Sequence, residues 1–476
     1  MSNPSTPLSF SQDDAFGWES FADRLKDFLR VEKDFVDGSL VVSLDAPFGS
    51  GKSHFLSMWK HRLDAERESD PTAPVCVVLN AWEDDYCGDP LLSLVHAIDA
   101  EVARQKPDSK TQRNVRALKE AAADVLNFGL GLTNSFVSNA TGVDPEAAGE
   151  FAEKRKAKRA GADPKTDVLQ LYRSRRGALD RLKESLTSMA EHLDAPVLLM
   201  VDELDRCRPD FAIQYLETIK HLFDIKGLNF ILAVDAGQLE NSARALFGEG
   251  LNFDEYYRKF AHWRVTLPRP SLEGIRKLVT KFTGKYLDDP AESDARRKSM
   301  LDLADARSGL VDMSLQLGLA PRQLQEAFRI IGHLAALKSP DAPKAQLYYF
   351  ISASSMLLAF LSVGRPEDFR KIASGGMTVG GILDIVVQGF SEDRRQWWAL
   401  LLVSMLIKRD EWEHEKSAPT PDSILQELAQ RKLIDAGTTA EQLADALGKH
   451  SMNFHRGSHT LRSIARRILE LERFAT

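Results

Sequence analysis

Three cysteines in 476 residues leave little for sulfur chemistry. Cys76, Cys87 and Cys207 are odd in number, and no two stand at a metal-ligand spacing. A disulfide framework and a zinc ribbon are therefore excluded, and a reducing cytoplasm is the expected location. Basic charge is not in excess either: 62 Lys and Arg face 69 Asp and Glu, a net charge of −7. That balance argues against a generic nucleic-acid coat and leaves room only for a local basic patch. Long apolar runs are also scarce. Residues 345–363 carry no formal charge, but Gln346, Tyr348, Tyr349 and four serines interrupt them, so a buried helix is expected rather than a membrane span. Residues 397–407 are too short to span, and the first residues show no basic region followed by an apolar core. With 43% hydrophobic and 28% charged residues, the chain reads as a folded soluble protein with two or three domains.

What is present centres on Ala46-Pro-Phe-Gly-Ser-Gly-Lys-Ser53. An apolar run at residues 40–44 precedes it and a helical pattern follows, with Phe55, Leu56, Met58 and Trp59 apolar. Strand, glycine-bearing loop and helix are the layout of a phosphate-binding loop. Gly49 and Gly51 permit backbone conformations closed to other residues, so successive N–H groups can converge on phosphate oxygens. Lys52 would add a point charge near the β- and γ-phosphates, and the Ser53 hydroxyl a ligand for Mg²⁺. The nucleotide-binding set is then Phe48, Gly49, Ser50, Gly51, Lys52, Ser53 and His54. One departure stands out, because Ala46 occupies the first glycine position of G-x-x-x-x-G-K-S/T.

Strands and helices alternate around this loop, with further strands expected at 75–79, 197–201, 229–234 and 264–267. The order implies an α/β fold with a parallel sheet and a ligand at the strands' carboxyl ends. The third strand ends in Asp202-Glu203. Asp202 can hold Mg²⁺ together with Ser53, and Glu203 can orient and deprotonate an attacking water. Lys52, Asp202 and Glu203 are thus the catalytic candidates of a nucleotide hydrolase, and Ser53 and Asp202 the metal ligands. Asp235, at the tip of the next strand, reads either as a sensor of the γ-phosphate or metal or as the N-cap of the helix that follows. Arg322 reads either as a sensor from the helical region or as a surface arginine. Arg258 and Lys259 are candidates for a finger acting in a neighbouring subunit.

The nucleotide-binding domain is expected at residues 1–106 and 193–270. A helical insertion occupies 107–192, a helical lid-like domain 271–345, and a C-terminal helical domain 346–476. The insertion carries a weakly apolar piece, 121–143, and the basic run Lys154-Arg-Lys-Ala-Lys-Arg159, which reads as a solvated helix face or as an interaction patch.

These pieces together resemble the KAP family of P-loop NTPases. The resemblance rests on Phe48-Gly-Ser-Gly-Lys-Ser53, Asn80-Ala-Trp-Glu83 with Asp89-Pro90, Asp202-Glu-Leu-Asp-Arg-Cys207, Tyr215 to Phe223, Leu232-Ala-Val-Asp235, and Tyr256-Tyr-Arg-Lys-Phe260 before Leu267-Pro268. It implies an additional-strand (ASCE-type) sheet of order 5-1-4-3-2 and ATP as nucleotide, while helical periodicity from residue 271 onward predicts a C-terminal all-α region. Many members carry membrane helices in the insertion, whereas the polar-interrupted segment here implies a soluble bacterial branch. The resemblance also raises anti-phage defence as a role. An Mg²⁺-dependent ATPase working as a switch or oligomeric machine with protein partners is the leading expectation. An ATP-binding scaffold and a DNA-stimulated ATPase are the alternatives.

Overall fold

Five strands, four of them largely apolar, pair side by side into one sheet in the computed structural model. The structure describes residues 8–87, 90–104, 113, 115–120, 177, 180–191, 195–222, 224–287, 304–336, 345–406, 421–434, 438–439, 442 and 461–475. The strands are β1 (Val41–Asp45), β2 (Val75–Asn80), β3 (Val197–Asp202), β4 (Leu228–Val234) and β5 (Trp263–Thr266). They lie in the order β2-β3-β4-β1-β5, every neighbouring pair parallel. Read from the other edge, this is the order 5-1-4-3-2.

Burial explains the order. Every residue of β3 and β4 is buried, as central strands of a covered parallel sheet must be. β5, with Trp263 48% exposed, lies at an edge. Alternation divides the side chains between two faces. Val41, Val77, Leu199, Phe230 and Leu232 share one core with residues of α5 (Pro90–Arg104), α6 (Pro209–Lys220) and α7 (Ala236–Phe247). Tyr257, from the short helix α8 (Phe253–Tyr257), reaches the same side and donates its hydroxyl to Ser43 Oγ at 3.0 Å. The alternate positions, Val42, Leu44, Leu198, Met200 and Ile231, are equally buried on the opposite face, where α3 (Lys52–Ser69) packs. Phe55 of α3 anchors an aromatic cluster there. Its ring centroid lies 5.4 Å from Phe21, 5.6 Å from Trp59 and 6.0 Å from Trp18. Phe21 belongs to α2 (Glu19–Glu32), and a four-residue helix, α1 (Phe10–Asp13), brings Phe10 to the same cluster.

The short helix α4 (Ala81–Asp84) follows β2 directly, which the sequence reading does not anticipate. Asn80 starts it: Oδ1 accepts from the Trp82 and Glu83 amides while Nδ2 donates to Glu83 Oε1 at 3.0 Å, a reciprocal cap.

The chain folds as two compact units. The first comprises Met1–Asp14, Trp18–Phe48 and Lys52–Pro268, the second Ala15–Gly17, Gly49–Gly51 and Arg269–Thr476. Within the expected insertion, Val115, Leu118, Leu182, Leu186 and Met189 join the core of the first unit. Residues 121–143 and the basic run Lys154–Arg159 lie outside the described residues.

The second unit is helical throughout its described residues. Its helices are α9 (Leu272–Tyr286), α10 (Ala304–Gln316), α11 (Pro321–Ala336), α12 (Ala345–Gly364), α13 (Pro366–Ser374), α14 (Val379–Gly389), α15 (Glu392–Leu406), α16 (Pro421–Gln430) and α17 (Leu461–Ala475). Phe328 sits at the junction of three of them, 6.0 Å from Phe282 and 6.0 Å from Phe360. Positions 353–361 of α12 are buried, as expected of a core helix. Among the described residues no helix is long and apolar enough to cross a membrane. Gly375 ends α13 at φ +86°, and the Gly376 amide closes back on the Lys371 carbonyl at 2.9 Å, a stop that only a residue tolerant of positive φ makes without strain.

Candidate nucleotide site

The parallel sheet brings the tips of β1, β4 and β3 side by side at one end. Three local devices then fix the loop after β1. The Ala46 amide donates to the Val234 carbonyl at 3.1 Å, the Phe48 amide to Asp235 Oδ2 at 2.9 Å, and the Ala236 amide to Asp45 Oδ1 at 3.0 Å. The tips of β1 and β4 are therefore tied together through backbone N–H groups. Gly49 and Gly51 take φ of +77° and +106°, the conformations anticipated for them. Ala46 is not among the residues with positive φ. Its position has no backbone need for glycine, and the substitution leaves the loop intact.

Lys52 is the first residue of α3. Its ammonium donates to the Ala46 carbonyl at 2.6 Å, folding the side chain along the loop it closes. Asp205 Oδ2 lies 3.7 Å from the same nitrogen, with the two side chains only 8% and 3% exposed. The Ser53 side chain comes near the Asp202 carboxylate at the tip of β3. Burial raises the Asp202 carboxyl from its ordinary value, and the nearby Ser53 hydroxyl opposes that rise. Asp202 Oδ1 also accepts the Glu203 amide at 2.9 Å.

Glu203 is one of two non-glycine residues with positive φ among the described residues, at +61°. That conformation costs on the order of 1 kcal/mol or more and is held by its surroundings. The chain turns sharply there into a short 3₁₀ helix, Leu204–Arg206, and the Glu203 carboxylate pairs with Arg206 at 2.8 Å.

The remaining candidates fall in several places. His54 Nε2 lies 3.2 Å from the Asp13 carbonyl, and the Ser50 hydroxyl is buried without a hydrogen-bond partner. Asp235 takes the cap reading, Oδ1 accepting from the Gly237 and Gln238 amides at the start of α7, while Oδ2 also holds the loop. Arg258 and Lys259 are exposed at the end of α8. Arg322 is the exposed second residue of α11, in the second unit.

Three groups escaped the sequence reading. Asp205 and Arg206 sit inside the run that carries the family resemblance, but nothing in their spacing shows which way they point until the 3₁₀ turn is formed. Asp85 is the third. Its carboxylate accepts from the Arg208 amide at 3.0 Å and from Nε at 2.9 Å, joining the segment after β2 to the start of α6.

A magnesium ion is implied by such a fold. Among the described residues no three His, Cys, Asp or Glu side chains cluster to hold a metal by themselves. The Ser53–Asp202 pair supplies two hard oxygen donors, which suits a cation that also takes phosphate and water oxygens.

A parallel sheet in this order, with Gly-Ser-Gly-Lys-Ser after its first strand and Asp-Glu at the tip of the third, defines a P-loop NTPase fold. The KAP family P-loop domain matches residues 19–337, and the chain belongs to that family. Among curated proteins nothing matches. Solved structures with a similar course include two forms of the Aeropyrum pernix ORC2 protein. The ADPNP–ADP complexes are 12% identical with a TM-score of 0.32, covering 96% of this chain and 98% of that one. The ADP form is 12% identical with a TM-score of 0.35, covering 96% and 97%. The A. pernix ORC1 protein in complex with DNA is 13% identical with a TM-score of 0.30, covering 92% and 84%. At that level of likeness the strand order of this chain, not the neighbours, carries the fold.

Proposed function

We propose that the chain is an Mg²⁺-dependent ATPase of the KAP type, working as a nucleotide-driven switch or oligomeric machine with protein partners or further copies of itself. The observation that carries the reading is the buried Lys52–Asp205 pair at 3.7 Å, because it joins the phosphate loop to the acidic turn after β3. The loop amides and Lys52 bind the triphosphate. Bound magnesium would neutralise phosphate charge, held through Ser53 and Asp202. Glu203 orients the attacking water and takes its proton as oxygen bonds to the γ-phosphorus and ADP departs. Asp235 and Arg322 are assigned to sensing the γ-phosphate, and Arg258 and Lys259 to a finger presented to a neighbouring copy. The family resemblance extends the reading to a bacterial cytoplasmic protein of anti-phage defence. Net charge of −7 ranks protein partners above nucleic acid.

E203Q tests the assignment. It is expected to bind ATP as the unaltered chain does and to lose about 10²- to 10⁴-fold in steady-state phosphate release. Unchanged turnover would remove Glu203 as the base. ATP binding with no turnover by the unaltered chain, alone or with partners, would favour a scaffold.

A further inference from the structure

Arg206 touches both halves of the candidate site in the first unit. Its guanidinium pairs with Glu203 at 2.8 Å through Oε1. The same group lies over the Phe48 ring of the phosphate loop, 4.7 Å from the centroid, and 6.0 Å from the ring of Trp82 in α4. Phe48 and Trp82 remain 45% and 52% exposed, although both rings are large and apolar. A planar cation flanked by two aromatic rings has little rotational freedom, and arginine suits this arrangement better than lysine does. The neighbour it holds needs holding. Glu203 stands at φ +61°, so its backbone is strained, and its carboxylate has one oxygen engaged by Arg206.

We propose that Arg206 is a positioning residue for hydrolysis. Stacked on the phosphate loop, it fixes the Glu203 carboxylate through Oε1 and leaves Oε2 to receive the proton of the attacking water. The register between loop and base is thereby set by Phe48 and Trp82, two rings on different elements. This inference rests on the ATPase reading of the same site.

The test is R206A and R206K, assayed for ATP affinity and for kcat and KM, each also in the E203Q background. R206A is expected to lower kcat about 10- to 100-fold with KM and ATP affinity unchanged, the loss that follows from a misplaced base. R206K keeps the ion pair but not the flat stacking and should fall between R206A and the unaltered chain. In single-turnover measurements on E203Q, removing Arg206 should add no further loss, because the group it positions is already gone. An unchanged kcat in R206A would overturn this inference alone. So would an equal loss in the E203Q background, or a loss confined to ATP affinity. An unaltered chain that binds ATP without any turnover would overturn the ATPase reading, and this inference with it.

Discussion

The Lys52 ammonium stands 3.7 Å from Asp205 Oδ2, and neither side chain is more than 8% exposed. The pair joins the start of α3 to the turn after β3, while Asp205 Oδ1 is buried with no hydrogen-bond partner. A buried charge stripped of its partner is costly, whereas losing both charges together is far less so. D205A is therefore expected to lower stability by about 3–5 kcal/mol in chemical denaturation. The double variant K52M/D205A should lose less than the sum of the two single changes, with a coupling of about 0.5–3 kcal/mol. Additive losses would show that the two groups do not hold each other.

Asp235 divides its two oxygens between a helix cap and the loop, and the two roles can be separated by substitution. Oδ1 serves α7 and Oδ2 accepts the Phe48 amide at 2.9 Å. Asn keeps an acceptor for the cap and loses one for the loop. D235A is expected to cost about 1 kcal/mol or more through the lost cap. D235N should keep most of that stability and weaken ATP affinity in an equilibrium titration. Equal destabilisation by both variants, with ATP affinity unchanged, would reduce Asp235 to a cap.

His262 introduces a pH dependence at the edge of the sheet. Its Nδ1 accepts the Val41 amide at 3.0 Å, and its own amide donates to the Val41 carbonyl at 2.9 Å. An imidazolium has no lone pair with which to accept that bond. Burial lowers the His262 value below 6.5, against a smaller opposing pull from Glu32. The unfolded chain thus binds the proton more readily than the folded one. Stability from this group is complete above about pH 6.5 and is lost as pH falls through the lowered native value. Denaturation midpoints measured at pH 7.5 and 5.5 should show this loss in the unaltered chain. H262Q, which keeps an acceptor but does not titrate, should show a smaller difference between the two.

Periodicity alone made the five strands legible, because β3 and β4 are continuous apolar runs and their flanking helices bury one regular stripe. The phosphate loop was legible as well, since Gly49 and Gly51 occupy positions where the chain must take positive φ. Short segments were not. α4 and the 3₁₀ turn Leu204–Arg206 span four and three residues, too few for any period to show. The side chains that these turns aim, Trp82, Asp205 and Arg206, were accordingly invisible as parts of the site. The sequence left Asp235 with two readings, sensor or cap, because one carboxylate at a strand tip suits either. The structure shows the cap, and adds a bond to the loop that neither reading contained.

The sequence by itself determined the strands, the loop and the acid pair at the tip of β3, because each is a local pattern of burial or backbone freedom. The family resemblance implied that β4 lies between β1 and β3, and the tertiary structure has that order, but only the structure decided that Asp235 meets Phe48. It also decided that Lys52 and Asp205, more than a hundred residues apart, are buried as a pair. Contacts of that kind depend on how strands are ordered in space, and strand order is a property of the packed sheet rather than of any one segment.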